Sequence, residues 1–208
     1  MSDQVIGLFP TPFMRVEGLL GAAQVAALVD YFSPTATQTN RQSLALAHSE
    51  ILKPDEHPLC VDVVRRIAPK LVDFGALLFG ERLDWSVKEL WVNLLQTGGR
   101  QSVHNHANSF VSGVIYLTRS HPSAHTVFMK GLGGRDFVFN NTNANSAQGP
   151  FNADKWVMPE ASPGDMVLFP SYLLHEVPVN QGGQRISLAF NAMPGQLDSW
   201  GYGMRFSK

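Results

Sequence analysis

Apolar residues change their spacing near position 85 of this 208-residue chain. Before that point they recur at helical intervals. Val61, Val64, Ile67, Leu71, Phe74, Leu77 and Leu78 follow Pro58, close to the repeat of about 3.6 residues that gathers side chains on one helix face. Ala22 to Phe32 reads as a shorter helix, stopped by Ser33 and Pro34. From Trp85 onward the runs shorten and favour β-formers: SVKELWVNLL, FVSGVIYLT, DMVLFP, LLHEVPV and RISLAFN, separated by clusters of Gly, Pro and Asn. Between about 120 and 160 a stretch rich in Gly and Asn reads as one or two short strands and a long loop, of the kind that forms lids and binding loops.

Helices followed by strands, without alternation, predict a mainly β (α+β) fold: a sandwich or jelly roll buttressed by N-terminal helices. A doubly wound α/β sheet fits less well for the same reason. The length suits a single domain over 1–208. Within it, about 1–82 is helical support, about 83–196 the β core and 197–208 a C-terminal tail.

Composition narrows the function classes. Sixteen basic residues against seventeen acidic ones give a formal charge of −1, with no Lys/Arg cluster to neutralise phosphates, so no nucleic-acid partner is expected. Apolar runs such as GALLFG fall far short of the ~20 residues that cross a bilayer, and MSDQVIGLFP lacks the basic flank and apolar core of a leader. A soluble, cytoplasmic protein without a membrane partner is the expectation. Cys60 is the single cysteine, which excludes an intramolecular disulfide and a thiolate cluster. Any metal site must use His, Asp or Glu.

That requirement turns attention to His104 and His106 in HNHANSFVSGVIYLT. Residues two apart on a strand point the same way, about 6.8 Å apart, and imidazoles from that separation can converge on one metal ion. A pair of solvated histidines at a strand entrance is the bland alternative. His175 supplies a third imidazole, and Arg185 follows ten positions later, with Ser187 after it. The turn residues NQGG between them predict two arms of a hairpin. With a symmetrical two-residue loop at Gln181 and Gly182, Arg185 points away from His175; with an odd loop or a glycine bulge, the two share a face about 6.8 Å apart. That spacing matches a short dicarboxylic acid held by metal at one end and by a guanidinium fork at the other. Alternatively, Arg185 is an exposed charge on the polar side of RISLAFN. The literal HNH string is not the nuclease motif of that name, whose residues lie far apart in sequence.

Taken together, WVNLL (91–95), HNHANSFVSGVIYL (104–117), SPGDMVLFPSYLLHEV (162–177) and RISLAFN (185–191) resemble the 2-oxoglutarate and Fe(II)-dependent oxygenases, in particular a group from bacteria and cyanophages. The weaker LFPTPF agrees near the amino terminus. The resemblance implies a double-stranded β-helix, a cupin-like jelly roll with iron in its mouth. It implies Fe(II), 2-oxoglutarate and O2 as cofactor and co-substrates. It also implies an enzyme that couples decarboxylation of 2-oxoglutarate to succinate with oxidation, by hydroxylation, of a small-molecule or peptide substrate. His104, His175, Arg185 and Ser187 match its metal and keto-acid positions. His106 departs from it, standing where a carboxylate is usual; as a ligand it would make the set three neutral imidazoles in place of the 2-His-1-carboxylate triad. His106 is read as the third ligand; an outer-shell role with water in its place, or an iron left weakly held, are the alternatives. Asp136 is the nearest downstream carboxylate a loop could bring in.

Tyr116 is expected either to hydrogen-bond the keto acid or to sit in the core. Asn93, polar within an apolar strand, needs a partner if buried and suits a pocket role. His48, His57, His121 and His125 carry no partner pattern and are expected on the surface or in loops, with His125 a candidate for the mouth. Trp91 and Trp156 are expected in the core. A three-histidine cupin-type dioxygenase without keto acid, and a non-catalytic jelly-roll binding domain, are the rival readings.

Overall fold

Period-two alternation on the two longest strands decides what each face of the main sheet touches. On β11 (Arg185–Pro194), Ile186, Leu188 and Phe190 join the core, while Arg185, Ser187, Ala189 and Asn191 take the opposite face. Its neighbour β4 (Trp85–Leu95) repeats the pattern, with Leu90, Val92 and Leu94 in the core and Glu89, Trp91, Asn93 and Leu95 opposite. Register couples the two: Arg185 faces Leu95, Ser187 faces Asn93, Ala189 faces Trp91 and Asn191 faces Glu89. The computed structural model describes residues 4–131, 141 and 143–206. Both faces of β11 are buried as far as Ala192, so its polar side lines a cavity and not the outer surface.

The seven-stranded antiparallel sheet runs β1 (Met14–Val16), β9 (Met166–Pro170), β6 (Val111–Tyr116), β11, β4, β3 (Ser43–His48) and β2 (Gln38–Asn40). A second antiparallel sheet runs β5 (Gln101–His104), β10 (Leu174–Val177), β7 (Val127–Met129) and β8 (Lys155–Val157). Residues of both sheets line one cavity, which is the jelly-roll arrangement expected. The outer face of the larger sheet packs on α1 (Ala22–Phe32) and α2 (Pro58–Phe79), through Leu28, Phe32, Ile67, Leu71 and Phe74. β12 (Gln196–Ser199) and β13 (Tyr202–Arg205) form a separate hairpin in the tail.

Local chemistry explains the helix ends. Pro58 opens α2 where its missing N–H costs nothing, His57 Nδ1 accepts from the Leu59 N–H at 3.2 Å, and Gly80 closes the helix in the left-handed region at φ 72°. The buried stripe is Cys60, Val63, Ile67, Leu71 and Phe74, whereas Val61 and Leu77 are exposed. A sheet covers only part of the helix circumference, and these two positions fall outside it.

Two expectations about the fold change. The helical reading of residues 1–82 omits β1, β2 and β3, strands of three to six residues that are too short to register as a period. His175 and Arg185 do not sit on two arms of one hairpin: β10 pairs with β5 and β7, whereas β11 pairs with β4 and β6. The chain crosses between sheets at NQGG, and the two side chains meet across the cavity. Asp136 lies outside the described residues.

Candidate active site

His104 and His175 are register partners on adjacent strands. The register then slips, since two steps along β10, to Val177, match three along β5, to Gln101. This bulge turns both Gln101 and His104 into the cavity. His106 lies past the end of β5, where its backbone N–H donates to the Ser171 carbonyl at 2.9 Å. It therefore joins the pair from a loop and not by strand parity. Ring centroids lie 4.2 Å apart for His104 and His175, 5.1 Å for His106 and His175, and 5.3 Å for His104 and His106.

One ring nitrogen from each of the three lies within 4.8 Å of the others. The Nδ1 atoms of His104 and His175 face the carbonyls of Ser102 and Leu173, at 2.8 and 2.9 Å. A carbonyl only accepts, so both Nδ1 atoms carry the hydrogen and both Nε2 lone pairs are free. Burial disfavours the imidazolium form. It holds the pKa of His104 and His106 below the usual histidine value and, with His104 adjacent, pushes His175 down to about 3. Three neutral nitrogen donors in a partly enclosed mouth fit a first-row metal ion such as Fe(II).

Arg185 occupies the same cavity and is buried. Its Nε donates to Ser120 Oγ at 3.1 Å, Nη1 to Ser187 Oγ at 3.3 Å and Nη2 to Thr126 Oγ1 at 3.5 Å, and its Cζ lies 5.4 Å from the centre of the Tyr116 ring. Among the described residues it pairs with hydroxyls and an aromatic face, never with a carboxylate. Burial of this charge lowers its pKa from the usual arginine value. A desolvated guanidinium held only by neutral groups is poised for an anion.

Residues 89–191 match the family described as "Putative 2OG-Fe(II) oxygenase". The chain belongs to the 2-oxoglutarate- and Fe(II)-dependent oxygenases. Among solved structures, the oxygenase is similar to HygX from Streptomyces hygroscopicus with nickel and 2-oxoglutarate bound, at TM-score 0.62 and 15% identity, covering 88% of this chain and 83% of that one. It is also similar to the Pseudomonas putida prolyl-4-hydroxylase, at TM-score 0.57 and 18% identity over 87% and 92%. The α-ketoglutarate-dependent epimerase SnoN from nogalamycin biosynthesis gives TM-score 0.60 and 15% identity over 89% and 80%. At these identities the likeness speaks for the fold. No curated protein sequence matches the chain.

The oxygenase's cavity of about 340 Å³ lies at the small end of the range for ligand sites, ~300–1,000 Å³. It brings together His104, His106, His175, Arg185, Ser187 and Asn93. Tyr116 lies beneath Arg185, its hydroxyl donating to Met158 Sδ at 2.9 Å and lying 3.3 Å from Thr126 Oγ1. Asn93 finds its partner in His48, whose Nδ1 lies 2.8 Å from Asn93 Oδ1 and whose Nε2 lies 3.0 Å from Asn40 Nδ2.

Sequence reasoning missed His48, which lines the cavity; only its parity with Leu46 on a six-residue strand could have found it. Trp91 lines the cavity and is only partly buried, and Trp156 is 45% exposed, so neither is a core residue. Glu89 and Gln101 were also not anticipated there. His57 and His121 serve helix caps, as a surface reading allows. His125 is half-buried and outside the cavity lining.

Proposed function

We propose that His104, His106 and His175 hold Fe(II) through Nε2, and that Arg185 receives the distal carboxylate of 2-oxoglutarate. When bound, the metal supplies the redox chemistry that couples O2 and decarboxylation of 2-oxoglutarate to oxidation of a substrate C–H bond. Arg185 orients the keto acid with charge-assisted hydrogen bonds, and Ser187 and Thr126 hold the guanidinium in place. Tyr116 acts through Arg185, its ring fixing the height of the guanidinium. The burial of His175 and Arg185 keeps bulk water from the reacting centre. Asn93, held by His48, and Trp91 form the wall left for the substrate, a small molecule or peptide. In this reading residues 83–196 carry the chemistry, the preceding segment contributes His48 and the helical support, and the protein works in the cytoplasm. Among the described residues no helix is long and apolar enough to cross a membrane.

The observation that carries this reading is a buried Arg185 without a described carboxylate, in one cavity with three converging imidazoles. The test is aerobic incubation with Fe(II) and 2-oxoglutarate. Metal-dependent succinate formation, lost in Arg185→Ala, supports it. Substrate oxidation that needs no keto acid would favour the cupin-type dioxygenase, and protein that retains no first-row metal would favour a binding domain.

A further inference from the structure

We propose that Glu89, acting through Asn191, fixes the tautomer of His106 and thereby makes its Nε2 available to the metal. The inference rests on the metal-site reading above and concerns how this chain replaces the carboxylate usual at that position.

Three adjacent strands carry the device. Glu89 on β4, Asn191 on β11 and Ser112 on β6 are successive register partners across the sheet. Asn191 Nδ2 donates to Glu89 Oε1 at 2.8 Å. An ionised carboxylate has no hydrogen to give, so the atom facing it must be the amide NH2. That contact removes the ambiguity of an amide, whose two ends otherwise look alike.

The carbonyl end then has to face His106. Asn191 Oδ1 lies 2.6 Å from His106 Nδ1 and 2.7 Å from Ser112 Oγ, and Ser112 Oγ itself lies 3.0 Å from that Nδ1, where it can only accept once its one hydrogen is given to Asn191. Because Oδ1 only accepts, both neighbours must donate. Ser112 can do so because its oxygen receives the Ser171 hydroxyl at 2.8 Å, and Ser171 receives Ser109 at 2.8 Å. The hydroxyl chain thus runs in one direction and ends on Asn191.

A neutral imidazole has one N–H. With the hydrogen on Nδ1, the lone pair of His106 sits on Nε2, as it does on His104 and His175. Those two rings achieve this with backbone carbonyls, which cannot turn around. His106 relies on a side-chain amide and a hydroxyl that could: Glu89 holds the amide, and the amide oxygen takes the Ser112 hydrogen. If Asn191 turned, its NH2 would face Nδ1, the hydrogen would move to Nε2, and the lone pair would leave the metal position. The negative charge of a carboxylate ligand is kept, two hydrogen bonds back from the metal.

Ring-nitrogen NMR on metal-free protein and Co(II) titration by visible absorption test the proposal on Glu89→Ala, Glu89→Gln, Asn191→Ala and the Glu89→Ala/Asn191→Ala double variant. Wild-type His106 is expected as the Nδ1–H tautomer. Glu89→Ala gains Nε2–H form and binds Co(II) about 10-fold more weakly, while Asn191→Ala loses about 10- to 100-fold, in the range for outer-shell partners of metal ligands. The double variant is no worse than Asn191→Ala, and Glu89→Gln, which keeps an acceptor oxygen, loses less than Glu89→Ala. Ring signals of His104 and His175 stay unchanged, which separates the effect from misfolding. Wild-type His106 in the Nε2–H form, or Glu89→Ala with wild-type tautomer and Co(II) affinity, overturns the proposal. Wild-type protein that binds no Co(II) sinks the metal site itself, while the tautomer signals still decide the role of Glu89.

Discussion

His104 and His175 face each other as register partners on neighbouring strands, with ring centroids 4.2 Å apart. Each ring is aimed by a carbonyl two residues earlier in its own chain. Because strand pairing and backbone geometry position both, removing either ring takes away a donor that no other residue of the described cluster replaces. His175→Ala is expected to lower Co(II) affinity by more than the roughly 10- to 100-fold of an outer-shell change, measured by the same titration.

Arg185 separates stability from function. A buried guanidinium without a carboxylate partner among the described residues carries a desolvation cost that an apolar chain of similar length does not. Arg185→Met is therefore expected to match or exceed wild-type thermal stability in the metal-free form. It is also expected to lose the stabilisation that 2-oxoglutarate adds to metal-loaded wild type, about 2.7 kcal/mol at a hundredfold excess over Kd. Thermal melts with and without keto acid check both halves; a strongly destabilised apo variant would contradict the first.

The pH dependence follows from His175. Its folded-state pKa near 3 lies below the ordinary value of 6.5, so between those limits the unfolded chain binds more protons than the folded one. The stability it contributes is complete above about pH 6.5 and declines as pH falls toward 3. Urea midpoints of metal-free protein measured from pH 7 to 4 are expected to fall more steeply for wild type than for His175→Gln.

Gly113 on β6 pairs with Phe190 on β11. A Cβ added at Gly113 would run into the Phe190 ring and the Leu168 side chain. Overpacking of a filled core costs about 1–3 kcal/mol. Gly113→Ala is expected to lower the urea-derived stability by that amount while leaving the His and Arg side chains of the cavity unsubstituted.

Much of this was legible in the sequence because the relevant signals are local. Alternation along RISLAFN puts Arg185, Ser187 and Asn191 on one face whatever the strand pairs with. Helical repeats before residue 80 locate α1 and α2, and the motifs around His104, His175 and Arg185 carry the family resemblance. The short strands β1 to β3 were not legible. Neither was His48, because six residues offer too few turns of any period to stand out.

The sequence by itself determined the faces of the long strands, the two helices and the identities of three imidazoles and one guanidinium. Tertiary structure alone decided that β10 and β11 belong to different sheets, that His106 enters from a loop, and that Glu89 lies beside Asn191, 102 positions away. Periodicity is fixed by bond geometry within a few residues, whereas partners are fixed by which strands pair. That choice depends on how the whole chain buries its apolar surface.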